Sequence, residues 1–316
     1  MDRLFNQWFI HVIQRTILSF ALLLLMGCAA NKKMAFKIND TPSGAFDKQG
    51  HRGCRGLMPE NTIAAMLRAI DLGVSTLEMD VVFTMDKVAI VSHEPFFNHE
   101  ISTTPAGNYI EENDEKKHSV YGLSYAQTQQ YDVGLKPHPR FKNQQKLPAT
   151  KPSLAALIDS VEAYITAKQL PPVAYNIETK TNAFTDGLFH PAPAEFINRL
   201  MAVVKSKGIE QRVIIQSFDR RTLQELHRSY PAIKTALLIE GFDKTGMEEQ
   251  LAMLGFVPTI YSPAYSLVDE ALITACNQKS MKIIPWTVND RETIQHLIAL
   301  GVDGIISDYP DLFQAE

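Results

Sequence analysis

Residues 50–62 read GHRGCRGLMPENT: a histidine, two arginines, three glycines and a Pro-Glu-Asn-Thr run within thirteen positions. Neither an amphipathic helix nor a half-buried strand packs with that mixture. Directly after it, Ile63, Met66, Leu67 and Ile70 fall at i, i+3, i+4 and i+7 and make one apolar helical face. Asn61 or Thr62 can cap that helix, and Gly73 can end it. The segment therefore reads as a strand-to-helix turn rich in polar side chains. Enzymes built from βα units keep their reactive groups at such turns.

The alternation continues outward. Short β-branched runs at Val173–Ile177, Arg212–Gln216, Lys234–Ile239 and Lys282–Trp286 predict strands. Amphipathic stretches at Glu195–Lys207, Arg220–Ser229 and Arg291–Leu300 predict helices between and after them. Strands and helices in turn imply an α/β fold with a parallel sheet. Residues 46–316 fit one TIM (β/α)8 barrel, whose usual size is about 250 residues. Two departures are expected. Thr76–Phe83 and Val88–His93 are separated by too few residues for a parallel crossover, so they should form a hairpin. With its turn centred between Asp86 and Lys87, Asp80 would lie opposite His93. After this third strand, residues 96–151 have poor periodicity and many polar groups, and predict a cap-like insertion overhanging the same end.

The 316-residue chain is 45% hydrophobic and 21% charged, with a net charge of -4. A pI near 6.2 lacks the basic footprint of a nucleic-acid binder. The N-terminus differs from the rest: Arg3 and Arg15 precede an apolar run, Ile17–Gly27, too short to span a bilayer but suited to a signal peptide. Leu25-Met26-Gly27-Cys28 resembles a bacterial lipoprotein box, which implies a leader at 1–27 and lipid on Cys28. A plain signal peptide cut nearby is the alternative. Ala29, in place of Asp, resembles outer-membrane sorting, so the expected location is the periplasm, anchored to the outer membrane by lipid. Polar residues up to 45 then form a tether. The other cysteines, Cys54 and Cys276, are expected as free thiols, because a chain this long needs no disulfide to support its core.

The chemistry gathers at strand ends. Glu78 and Asp80 share one face of a strand. Flanking Leu77, Val81 and Val82 argue against a solvated edge. Glu178 ends another apolar run. Three carboxylates without a cysteine cluster favour one hard divalent cation, Ca²⁺ or Mg²⁺, over zinc. His51 and His93 flank these acids and can move protons near neutral pH. Arg52 and Lys180 add positive charge for an anion. Glu60 either orients Arg52 or His51 or is a plain first-turn helix acid. A cation, two imidazoles and two basic side chains describe a phosphate-ester site.

His51-Arg52-Gly53, Pro59-Glu60-Asn61-Thr62, Glu78-x-Asp80, His93-Glu94 and Asn176-x-Glu178-x-Lys180 together resemble the motif set of the glycerophosphodiester phosphodiesterase family. Gln216-Ser217-Phe218-Asp219, Pro285-Trp286-Thr287-Val288-Asn289 and Gly304-Ile305-Ile306-Ser307-Asp308 extend the resemblance to nearly all of 48–310. It implies a TIM barrel, one divalent cation, and hydrolysis of glycerophosphodiesters to sn-glycerol 3-phosphate and an alcohol. Matched to it, Glu78, Asp80 and Glu178 are metal ligands and His51 and His93 the acid–base pair. Arg52 and Lys180 contact phosphate, and Trp286 lines the substrate pocket. Glu94 stands where many members have aspartate, and Ser307 where threonine is common. The partners implied are a small-molecule glycerophosphodiester and, through the lipid, a membrane, with no nucleic acid. Competing readings are a related phospholipase and a non-enzymatic lipoprotein that kept the barrel for binding.

Overall fold

The structure, a computed structural model, describes residues 45–314; the expected leader, Cys28 and the tether before Ala45 lie outside the described residues. Helix α1 (Ile63–Asp71) begins where its sequence signals place it. Thr62 is the cap, its Oγ1 accepting from the N–H of Ala65 at 3.1 Å, while Met66 and Ile70 turn inward. Around it run β1 (Asp47–Gly50), β2 (Thr76–Phe83), β3 (Ala89–Val91), a short α2 (Tyr125–Thr128) and α3 (Leu154–Lys168). Then come β4 (Ala174–Thr179), α4 (Pro193–Lys207), β5 (Val213–Ser217), α5 (Arg220–Ser229), β6 (Lys234–Ile239) and α6 (Met247–Leu254). The chain closes with β7 (Ile260–Pro263), α7 (Glu270–Gln278), β8 (Lys282–Ile283), α8 (Arg291–Leu300) and β9 (Gly304–Ser307).

Neighbouring strands run in the order β8-β7-β6-β5-β4-β2-β1-β9, all parallel, with β3 antiparallel on β2. The last seam is irregular. Pro285 has no N–H to donate, so β8 stops early, short of the expected Trp286. Single bonds then close the ring: Ile306 N–H to Pro285 O at 3.0 Å, and Val288 N–H to Ile306 O at 3.0 Å. This is a nearly closed TIM barrel.

The hairpin forms, one register step away from expectation. Val81 pairs with Val91 and Phe83 with Ala89, so Asp80 faces Ser92, whose N–H donates to Asp80 O at 2.9 Å. The cause is the turn: Thr84 pairs with Val88 across three residues, with Lys87 in the left-handed region at φ 65°. A one-residue change in register moves a side chain to the other face. His93 thus lies past the strand, freed from the pairing.

Helices pack outside the sheet in one core that includes Leu77, Tyr175, Ile215, Leu157 and Leu200. Inside the barrel, Ile214, Ala236, Ile260 and Ile306 of β5, β6, β7 and β9, with Ile284 just past β8, form an apolar plug. The interior of β1, β2 and β4 is polar. The 96–151 insertion has its own apolar cluster, in which Phe97, Ile101, Ile110 and Tyr131 pack on Val82 and Ile90 of the hairpin. Cys54 and Cys276 are buried free thiols, as expected. No described helix is long and apolar enough to cross a membrane.

Candidate metal and phosphate site

Parallel pairing of β2 with β4 sets Glu78 beside Asn176 and Asp80 beside Glu178. Ligand oxygens of Glu78, Asp80 and Glu178 consequently lie within 4.8 Å of one another, all three buried. A polar layer holds them from below. Asn176 Nδ2 donates to Gln49 Oε1 at 2.8 Å and to Gln216 Oε1 at 2.9 Å. Gln216 Nε2 in turn donates to Glu78 Oε1 at 2.8 Å. Asn61 Nδ2 donates to Asp80 Oδ2 at 2.8 Å, but Asp80 Oδ1 is buried with no hydrogen-bond partner.

The electrostatics show the strain of this packing. Burial, then the neighbouring Asp80, pushes Glu78 well above the ordinary carboxylate range. Burial raises Glu178 as well. Burial also opposes ionisation of Asp80, but Arg52, His93 and Lys180 outweigh it and hold that carboxyl low. An orphaned oxygen amid three converging acids suits a cation. Oxygens bound to one Ca²⁺ at 2.3–2.6 Å can stand at most about 5 Å apart, so the residues fit a hard divalent ion.

The 50–62 turn wraps this cluster. The Arg52 N–H donates to Glu78 Oε2 at 2.7 Å, holding Arg52 in the left-handed region at φ 49°. Gly53, at φ 85°, lies so close to α1 that a Cβ would meet the Ala65 carbonyl carbon at 2.7 Å. The Arg52 side chain reaches Glu60 Oε1 at 2.8 Å and Asp80 Oδ2 at 3.3 Å. Glu60 thus orients Arg52. His51 Nδ1 lies 2.6 Å from Asp308 Oδ1, leaving Nε2 on the side of Glu78, 4.0 Å from its Oε2. Burial lowers the His51 imidazole to about 4, although Asp308 pulls the other way. Arg55 clamps Asp308 with Nε at 2.9 Å and Nη2 at 3.0 Å.

Lys180 Nζ donates to Glu178 Oε1 at 2.7 Å and stands 3.8 Å from Asp80 Oδ1. His93 is more open, with Nδ1 2.6 Å from Glu94 Oε1. Asn98 Nδ2 holds the other Glu94 oxygen at 2.6 Å. Beneath them the buried Lys151 donates to Ser92 Oγ at 2.6 Å, and that hydroxyl donates to Glu94 O at 2.6 Å.

His51, Arg52, Glu78, His93, Glu178, Lys180 and Trp286 all line one cleft of about 350 Å³; Asp80 lies buried at its base. The insertion reaches the cleft less than expected: Arg140 alone of its residues is in the wall. Phe97 stacks on Tyr131 at 3.9 Å inside the insertion. The roles of Asp308, Arg55, Gln216 and Lys151 are not evident in the sequence, and Asn61, expected as a possible helix cap, instead holds Asp80. Asp308, Asn61 and Gln216 sit within the quoted motifs, which was the available signal; Arg55 and Lys151 carried none.

The cleft lies at the C-terminal ends of the barrel strands, where enzymes of this fold keep their active sites, and its basic groups suit an anionic ester. The model of the glycerophosphoryl diester phosphodiesterase family matches residues 51–312. The chain belongs to that family, whose members hydrolyse glycerophosphodiesters. A glycerophosphodiester phosphodiesterase of Caldanaerobacter subterraneus subsp. tengcongensis is 28% identical over 262 residues, 83% of this chain and 93% of the relative. A Silicibacter pomeroyi crystal structure, assigned as a glycerophosphoryl diester phosphodiesterase, superposes with a TM-score of 0.76 at 29% identity, over 86% of this chain and 93% of that one. An Oleispira antarctica phosphodiesterase, solved with the product sn-glycerol-3-phosphate, shares the fold at 22% identity and a TM-score of 0.64, over 84% of this chain and 94% of that one.

Proposed function

We propose that this protein hydrolyses glycerophosphodiesters to sn-glycerol 3-phosphate and an alcohol in a reaction that needs one divalent cation, Ca²⁺ or Mg²⁺. The observation that carries the reading is the convergence of three buried carboxylates beside a histidine held by Asp308 and two basic side chains. Glu78, Asp80 and Glu178 would hold the ion. When bound, it supplies Lewis-acid stabilisation of phosphate charge worth several kcal/mol.

Arg52 and Lys180 orient the diester phosphate across the cleft. His51, with Nδ1–H on Asp308, offers Nε2 as the base that takes a proton from the attacking water as its oxygen bonds to phosphorus. His93, tied through Nδ1 to Glu94, can give a proton through Nε2 to the departing alcohol as its P–O bond breaks. Product analysis on glycerophosphoethanolamine tests this: the expected products are sn-glycerol 3-phosphate and ethanolamine. Release of phosphoethanolamine, or no turnover, would contradict it. From the sequence of residues 25–29 we further propose a lipid anchor on Cys28 and a periplasmic location at the outer membrane.

A further inference from the structure

We infer that Glu240, with the rings of Phe218 and Trp286, forms the subsite for the alcohol half of the substrate and selects an amine-bearing, cationic alcohol over a neutral one. The inference rests on the phosphodiesterase reading above. The cleft has two electrical poles. Arg52 follows β1, and Glu240 follows β6, which stands across the barrel from β1 in the strand order. The other acids that line the cleft are already bonded. Glu78 accepts from Gln216 and from the Arg52 N–H, and Glu178 from Lys180. Glu240 is partly buried, yet has no ion pair and no side-chain hydrogen bond among the described residues. The remaining cations of the wall are all paired: Arg140 with Glu100 at 2.7 Å, Arg55 with Asp308 at 2.9 Å and Lys180 with Glu178 at 2.7 Å.

A partly buried carboxylate that no cation of the wall neutralises attracts a ligand cation placed beside it. The surroundings suit an ammonium group. Phe218 and Trp286 pack edge to face at 5.5 Å between centroids. Trp286 Nε1 donates to Ser262 O at 2.9 Å, which fixes the indole in the wall. Ring faces attract ammonium and quaternary ammonium groups, more strongly where water is excluded. Leu238 and Ile306 supply that apolar lining. A substrate with a negative phosphate and a positive amine on a short arm matches both poles at once.

The test compares kcat/KM on glycerophosphoethanolamine, glycerophosphocholine and glycerophosphoglycerol for the wild-type chain, Glu240→Gln and Glu240→Lys. The readout is the ratio of each amine-bearing diester to the glycerol diester, which is insensitive to the fraction of molecules folded. In Glu240→Gln that ratio should fall about tenfold, chiefly through KM. In Glu240→Lys the neutral diester should become the better substrate. A ratio within about twofold of wild type in both variants, or equal loss on all three diesters, would overturn the inference and assign Glu240 elsewhere. Those outcomes leave the phosphodiesterase reading standing. A wild-type chain that cleaves none of the three overturns both.

Discussion

Asp308 is the residue on which His51 leans. It fixes the imidazole tautomer and is itself clamped by Arg55. Asp308→Asn should lower kcat about a hundredfold, in the range set by loss of an oriented general base. It also takes from the buried Arg55 its closer carboxylate, leaving Glu60 at 3.8 Å, a cost of about 3 kcal/mol at neutral pH. Burial opposes ionisation of Asp308, but His51 and Arg55 bring its carboxyl below the ordinary range. Its stabilisation is therefore present above the unfolded-state value and lost as pH falls through the folded one. Urea unfolding should show a gap between wild type and variant that narrows on acidification; a gap independent of pH would count against the pairing. Glu78 makes the opposite prediction, because its carboxyl is raised. A cation competes with a proton for that carboxyl, so apparent metal affinity should weaken as pH falls. Titration in buffers of different ionisation enthalpy measures that proton directly. The acids and histidines were legible because same-face spacing and strand-end position are local features. His51 and Asp308 lie 257 positions apart, and only closure of the barrel brings them together.

At the scale of elements, the hairpin and its insertion deserve separate tests. Gly53→Ala combines a left-handed φ with backbone contact against α1. It should cost about 2–4 kcal/mol and lower the urea midpoint accordingly. Phe97→Ala should cost about 3–5 kcal/mol, since the fully buried ring is stacked within the insertion's own core. Turnover per folded molecule should be nearly kept, because Phe97 does not line the cleft. A selective loss of turnover without loss of stability would show that the insertion acts on the substrate through that ring. Periodicity gave β2, β6, α5 and α8 their observed bounds, since each repeats on its own hydrophobic period. It misjudged the hairpin by one residue because register depends on turn geometry, and Lys87 takes a left-handed conformation that composition does not signal. Helix α3 carries the same signal, with buried Leu154, Leu157, Ile158 and Val161 at helical spacing, but the aperiodic insertion directly before it obscures where the helix begins.

For the whole molecule, the barrel separates stability from chemistry. An apolar plug and an outer core support it, while the polar half of the interior holds the acids in place. If Cys28 carries lipid, Cys28→Ser should move the protein from the membrane to the soluble periplasmic fraction, and unchanged fractionation would refute the anchor. The central claim is that Glu78, Asp80 and Glu178 converge on one ion required for turnover. Its most direct test is calorimetric titration of Mg²⁺ and Ca²⁺ into the metal-stripped mature chain, with Glu78→Gln and Asp80→Asn alongside and hydrolysis of glycerophosphoethanolamine followed in the same samples. The account predicts one site per chain in wild type, affinity lost in both variants, and turnover that chelator abolishes and the ion restores. Full turnover in chelator, or unaltered affinity in Glu78→Gln and Asp80→Asn, would contradict it.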